Sequence, residues 1–330
     1  MNITRSVKNL LRPLRDIIFA FFGFLYDFRR FYRFGGWRAS LNDSVQRNYK
    51  AVKVYHSLEK SLSFRDRRQG LGWDAVRKLV RLLTSIKGDE NIGFQEKVSI
   101  NVLEQFLDAE QDVDGHPNLY EQSAVNLLNQ FKPEKNEGGG IKIYGVDFIK
   151  KGILENPEDF FLTRSSVRDF STAAVDDDVV CRAISLAQKT PSVCNRQAWH
   201  VYHIVDPVLI EKALRYQNGN RGFGQTIPCL LIITSDLKAF DTSGERYQHF
   251  IDGGMFSMSL VMACHSIGLS TCCLNWSCSG RNDLRLRRLV DIKPEHTVIM
   301  MLAVGHPREK IKVCASERRP LTEVYTYLKA

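Results

Sequence analysis

The stretch PSVCNRQAW, residues 191–199, sits where the periodicity of the chain changes. Ahead of it, Val179, Val180, Ala183, Ile184 and Ala187 recur at three-to-four spacing, the stripe of a helix that Asp176 or Asp177 can cap. Behind it, residues 199–205 open an apolar run rich in aromatic and β-branched side chains. Similar runs follow at 229–234, 271–276 and 297–304, and residues 255–267, helical in period and stopped by Gly268, separate the second from the third. Alternation of this kind predicts a layered α/β domain, for which a parallel sheet is one solution; periodicity does not fix strand direction.

Further toward the N-terminus the pattern is helical from 41 to 131. Ala75, Val76, Leu79, Val80, Leu82 and Leu83 repeat at helical spacing, as do Val98, Val102, Leu103, Phe106 and Leu107. Within this region HSLEK, residues 56–60, is either a small polar site or a solvated helix face. KPEKNEGGG, residues 132–140, is the clearest linker. The expected organisation is therefore a basic aromatic segment (1–40), a helical region (41–131), a linker (132–150) and a second domain (151–330).

The chain of 330 residues carries 46 Lys and Arg against 37 Asp and Glu, a net +9, of which +6 falls in residues 1–38. IIFAFFGFLY (17–26) is ten apolar residues, where a bilayer-crossing helix needs about 20. A secretory leader is disfavoured because no small-x-small cleavage site follows. Three readings stay open: a helix on an anionic membrane surface, packing on the body or on a dimer mate, or a targeting segment. Nucleic acid is excluded, because the cations cluster with aromatics beside an apolar run. Eight cysteines show no CxxC pair, so neither a disulfide scaffold nor a metal site is expected. They are expected to pack as small hydrophobes, Cys272 and Cys273 included, in a reducing, cytoplasmic setting.

No strand precedes GxGxxG, and GxxxxGK[ST], GxSxG and HExxH are absent, which removes the common nucleotide-loop and hydrolase readings. GNRGFG (219–224) reads by itself as a flexible loop. Three clusters remain: RSSVRDF (164–170), PSVCNRQAW (191–199) and SERRP (316–320). Together they offer forked guanidinium donors and short amide or hydroxyl side chains, which suit an anionic ligand with many oxygens.

In their order and spacing, with the helix DGGMFSMSLVMACHSIGL (252–269), these clusters resemble the FMN-dependent nitroreductase family over residues 157–330. The resemblance implies an α+β, three-layer fold with a mostly antiparallel central sheet flanked by helices, here preceded by a helical N-terminal extension. It replaces the parallel sheet as the expectation and implies a homodimer with FMN at the subunit interface. It also implies that Arg164, Ser165 and Ser166 hold the ribityl-phosphate side of FMN. Arg168 would stand at the N1 edge, where a fixed cation eases reduction. Pro191, Ser192, Asn195 and Gln197 match positions that reach FMN, in many members from the partner subunit. Asn220 would face the ring, Cys273, Leu274 and Asn275 would offer backbone groups near N5, and Arg318 would take the phosphate.

The chain departs from the family pattern at Ala198, where proline is usual, and at Asn275, where some members have Glu. Ser316 stands where a lysine is common, so Arg319 is expected to help bind phosphate. The implied activity is hydride transfer from NAD(P)H through flavin N5 to a nitro, quinone or enone acceptor, with no catalytic side chain. Alternatives are an accessory protein at a membrane-associated assembly and a flavin-dependent dehydrogenase or oxidase. HSLEK and the positions after it resemble a leader in nitroreductase-like proteins associated with surface-polysaccharide synthesis, which would give a membrane-peripheral enzyme.

Overall fold

The structure, a computed structural model, describes residues 3–38, 40–67, 70–86, 92–110, 120–131 and 138–329. The long helix α1 (Ile3–Phe34) leads into α2 (Ser44–Ser63), α3 (Trp73–Leu83), α4 (Phe94–Glu110) and α5 (Glu121–Gln130). Asp43 starts α2 by accepting from the Val45 and Gln46 amides at 3.0 and 3.1 Å, an N-cap worth roughly 1 kcal/mol. The stripes foreseen on α3 and α4 meet α2 in one core of Val52, Tyr55, Leu58, Leu79, Leu103 and Phe106. At its edge the Arg47 guanidinium donates to Glu96, and both side chains are fully buried. Glu96 also accepts from the Gly93 amide at 2.7 Å.

Two side chains of HSLEK, those of His56 and Glu59, take part in structural contacts. His56 Nδ1 lies 2.9 Å from Glu59, whose other oxygen accepts from the Gly140 amide at 3.2 Å. Gly139 and Gly140 have φ of 122° and 73°, and a Cβ on either would collide with Val98 or Gln105. Only glycine fits both the left-handed backbone and the close approach to α4. The KPEKNE part of the linker lies outside the described residues; the glycines that follow are anchored on α2 and α4.

Two short helices, α6 (Val146–Lys150) and α7 (Pro157–Thr163), precede the second core. Then come α8 (Asp177–Ala187), β1 (Trp199–Ile204), α9 (Pro207–Leu214), β2 (Cys229–Asp236) and α10 (Gln248–Ser266). The series ends with β3 (Ser270–Asn275), α11 (Gly280–Leu289) and β4 (His296–Gly305). The strands form one sheet of order β1-β2-β4-β3, antiparallel at every pair. That corrects the parallel solution allowed by periodicity and agrees with the α+β architecture. Helix α10 begins four residues earlier than the quoted motif and stops before Gly268, at φ 82°.

Alternation along the central strands divides the core between two faces. Leu230, Ile232, Met301 and Ala303 pack under α9 and α11, while Leu231, Ile233, Leu302 and Val304 pack under α8 and α10. Helices, sheet and helices make the three layers. The same alternation corrects the cysteine expectation: Cys272 is buried, but its neighbour Cys273 points to the opposite side of edge strand β3 and is exposed. Cys181, on the solvent side of α8, and Cys314, in the tail, are exposed too, whereas Cys229 and Cys264 do pack in the core.

The helical part grips the sheet domain through α1 and α2. Gly36 donates to the Phe240 carbonyl at 2.8 Å, and a Cβ there would strike the Lys238 carbonyl. Lys238 pairs with Asp43 at 3.0 Å and Lys53 with Asp241 at 2.5 Å. Beneath the end of α1, His249 is buried against Phe31 and Phe240. Burial, with the Arg30 cation nearby, pushes its pKa down to about 4.

Two stability predictions follow from these buried groups. Glu96→Ala strands the Arg47 charge and is expected to cost about 3–5 kcal/mol, read from the urea midpoint. A buried histidine that resists protonation in the folded state gives stability that is complete above the unfolded pKa near 6.5 and is lost as pH falls below it. His249 is thus expected to withdraw roughly 2 kcal/mol between pH 6.5 and 5. His296, lowered to about 3 by burial, acts in the same direction, and Asp236, raised to about 6 by burial, opposes both. Thermal unfolding of His249→Phe should show a shallower pH dependence than wild type; an identical slope would remove His249 from the account.

Candidate functional site

The segment before α8 is laid on the sheet edge by backbone pairing. Ser166 bridges Thr271 of β3, the Val167 amide donates to the Thr271 carbonyl at 3.0 Å, and Phe170 bridges Pro307 just past β4. Phe170 is buried over Gly305, where a Cβ would lie 2.6 Å from its ring. These contacts fix Arg164, Ser165, Ser166 and Arg168 along one wall of a cavity of about 440 Å³. The opposite wall is the C-terminal tail, residues 314–318, with Arg318 among them. Arg168 Nη1 lies 3.5 Å from both the Ser166 carbonyl and Cys314 Sγ. Arg318 donates to the Ser316 carbonyl across a turn in which Ser316 has φ 51°.

The cavity is strongly cationic. Among the described residues none of Arg164, Arg168 and Arg318 has a carboxylate within ion-pair distance, and Asp169 is bound to Arg308 at 2.7 Å. Glu317 is the one carboxylate on its wall. Burial raises the Cys272 thiol, and the Arg168 charge beside it works the other way. Three forked donors, the hydroxyls of Ser165, Ser166 and Ser316, and the apolar edge of Phe161 and Leu162 suit a phosphate ester with a flat, less polar body. Among the described residues no cluster of three or more His, Cys, Asp or Glu could hold a metal ion.

The remaining sequence candidates are distributed unevenly. Gly219, next to Asn220, packs near Leu274, so this loop borders the Cys273, Leu274 and Asn275 strand. Asn220 Oδ1 accepts from Gln217 at 3.0 Å, and Asn275 donates to Ser277 at 3.2 Å. Arg319 does not line the cavity, although Arg318 does. The turn bearing Pro191, Ser192, Asn195 and Gln197 lies at the other end of the sheet. It leads into Trp199, which pairs through Ser235 toward Thr297, whereas Ser166 bridges Thr271 beside Val304. Seven residues of β4 separate those two levels, roughly 23 Å along the strand. Within one chain the turn and the cavity are apart.

Sequence reading passed over Phe161, Leu162, Cys314 and Ala315 as cavity walls. The signal for the first two was the apolar FFL (160–162), separated from Arg164 by Thr163 alone; an isolated cysteine in a polar tail carried none.

A family model described as the nitroreductase family matches residues 162–216 and 206–306, the segment that builds the sheet, its covering helices and one wall of the cavity. The chain is 23% identical over 208 residues to an iodotyrosine deiodinase of Hydra vulgaris, which covers 54% of this chain and 75% of that protein. It is 22% identical over 211 residues to a putative NAD(P)H nitroreductase, YodC, of Bacillus subtilis, which covers 53% of this chain and all of that protein. A solved structure of a putative nitroreductase in complex with FMN, from Desulfovibrio desulfuricans, aligns at a TM-score of 0.46 and 19% identity. That alignment covers 54% of this chain and 99% of the other.

Proposed function

We propose that the chain is an FMN-dependent oxidoreductase that passes hydride from NAD(P)H to an electron-poor acceptor of nitro, quinone or enone type. The observation that carries this reading is the cationic cavity on a nitroreductase-family domain, where Arg164, Arg168 and Arg318 converge without a paired carboxylate. Arg164, Ser165, Ser166 and Arg318 would hold the phosphate and ribityl oxygens, with Arg319 near enough in sequence to assist. When bound, FMN would supply the hydride-transfer chemistry.

The protein's own part is binding, orientation and electrostatics. Arg168 would place a fixed cation where negative charge collects on reduction, and a preorganised charge of this kind stabilises it without rearrangement. Asn220 and the backbone of Cys273, Leu274 and Asn275 would line the face of the ring, and Phe161 and Leu162 would exclude water from it. A second copy of the chain would bring Pro191, Ser192, Asn195 and Gln197 to the site that one chain leaves incomplete, so the working unit is a homodimer. The tie to surface-polysaccharide assembly rests on the resemblance of the N-terminal leader alone.

The purified full chain is expected to be yellow, to bleach under anaerobic NADPH or NADH and to regain colour with a quinone. Colourless protein that rejects added FMN would overturn the proposal. Arg164→Ala with Arg318→Ala should weaken FMN binding by about 1.5–3 kcal/mol for each charged hydrogen bond lost, measured by flavin fluorescence titration. Unchanged affinity would move the phosphate elsewhere. Arg168→Ala should lower the flavin midpoint potential; an unaltered potential would remove Arg168 from the ring edge.

A further inference from the structure

Helix α11, GRNDLRLRRL, carries a second cationic face that the oxidoreductase reading does not use. Arg281, Leu284, Arg285 and Arg288 recur at three-to-four spacing and are exposed, while Asp283, Leu286 and Arg287 are buried on the other side. Asp283 ties this helix to α1, accepting from the Tyr26 hydroxyl at 2.5 Å, and Arg30 of α1 donates to the His296 carbonyl at 2.9 Å. The two helices thereby enclose a groove made of two adjoining cavities of about 920 and 560 Å³, which share Tyr26, Arg29, Leu284 and Arg288. Phe19, Phe22 and Leu284 give it an apolar floor. Arg29, Arg33, Arg281, Arg285 and Arg288 stand around it, and among the described residues none of the five is in an ion pair. Asp291 is the one carboxylate lining either cavity.

We propose that this joint face of α1 and α11 docks on an anionic phospholipid bilayer. Residues 17–24 are apolar, with one glycine, and exposed on every side of α1; Phe19, Phe21, Phe22 and Phe24 are each about 60–70% exposed. A helix segment that is hydrophobic all round needs cover. Eight residues extend about 12 Å, far below the roughly 30 Å of a hydrocarbon core, so the segment lies at the surface and does not cross. No helix among the described residues is long and apolar enough to cross. Exposed Tyr32 and Trp37 at the base of α1 suit the headgroup level. A second copy seated on this face would set five guanidiniums against five, whereas anionic headgroups neutralise them. The sequence placed cations on α1 alone; the fold adds those of α11, some 250 residues away, to the same face. The inference is independent of flavin binding.

The test uses the full chain and sedimentation with phosphatidylcholine vesicles, with and without phosphatidylglycerol. Wild type is expected to pellet with the anionic vesicles only, and less at high salt. R281Q/R285Q/R288Q should lower the partition coefficient about a hundredfold, at about 1 kcal/mol for each cation near an anionic surface. F19S/F22S should lower it as well, with the thermal transition of both variants unchanged. Equal binding to neutral vesicles, binding to neither, or wild-type binding by the triple arginine variant would each overturn the proposal. So would a concentration-dependent dimer that F19S/F22S abolishes in a protein that ignores lipid, because the face would then belong to a second copy.

Discussion

The cavity exists because a short extended strip, residues 164–170, is paired to the edge of an antiparallel sheet at two points. Ser166 is held on Thr271 and Phe170 on Pro307, so the strip cannot rotate, and the guanidiniums of Arg164 and Arg168 face the same side as the returning tail. The tail is held in turn by Arg308 on Asp169. That pair removes the one carboxylate inside the RSSVRDF motif that could have neutralised Arg168. Three cations are left facing each other across one cavity. Like charges at such range repel, and a phosphate dianion relieves the repulsion while making charge-assisted bonds. The anion preference therefore comes from where the acids are spent as much as from where the bases stand.

The same reasoning marks how far the amino-acid sequence could be read. Strands at 199–204, 229–236, 270–275 and 296–305 were legible to within two residues, because each is a short run rich in apolar and β-branched residues between turn-rich ends. Strand direction was not, since alternation is the same for parallel and antiparallel neighbours. The convergence of RSSVR with SERRP came from the order of motifs; spacing alone could not bring together segments some 150 residues apart. HSLEK looked like a solvated face or a polar site because its partner, the Gly140 amide, lies 81 residues downstream. Cys273 was misjudged with Cys272, although adjacent strand residues point opposite ways. The grouping of α11 with α1 had no local signal, because it depends on Tyr26 meeting Asp283.

The turn at 192–197 is the most strained part of the sheet domain. Cys194, Asn195 and Gln197 have φ of 49°, 53° and 50°, a left-handed backbone that costs non-glycine residues of order 1–3 kcal/mol each. Such a conformation lasts only where its surroundings over-determine it. Here Ser192 Oγ accepts from the Gln197 amide at 3.0 Å, and Asp252 of α10 accepts from the Val193 amide at 3.2 Å. Beneath lies buried Arg196, bonded to the Val193 and Ala239 carbonyls and to Glu245. Burial alone would raise the Glu245 carboxyl, but the Arg196 guanidinium outweighs it and holds it at about 2. A buried ion pair is weak support for stability in itself and strong support for geometry, since either charge left alone would be costly. The turn is thus built to a fixed shape, with Ser192, Asn195 and Gln197 bonded chiefly to one another. Part of it seats the helical region, since Val193 and Ala198 pack with Phe31, Phe34 and Tyr49, yet the turn lies some 23 Å along the sheet from its own chain's cavity. Such rigidity is what a surface needs if the proposed second copy is to present its amides at a site it does not itself enclose, because preformed donors lose little entropy on meeting their ligand.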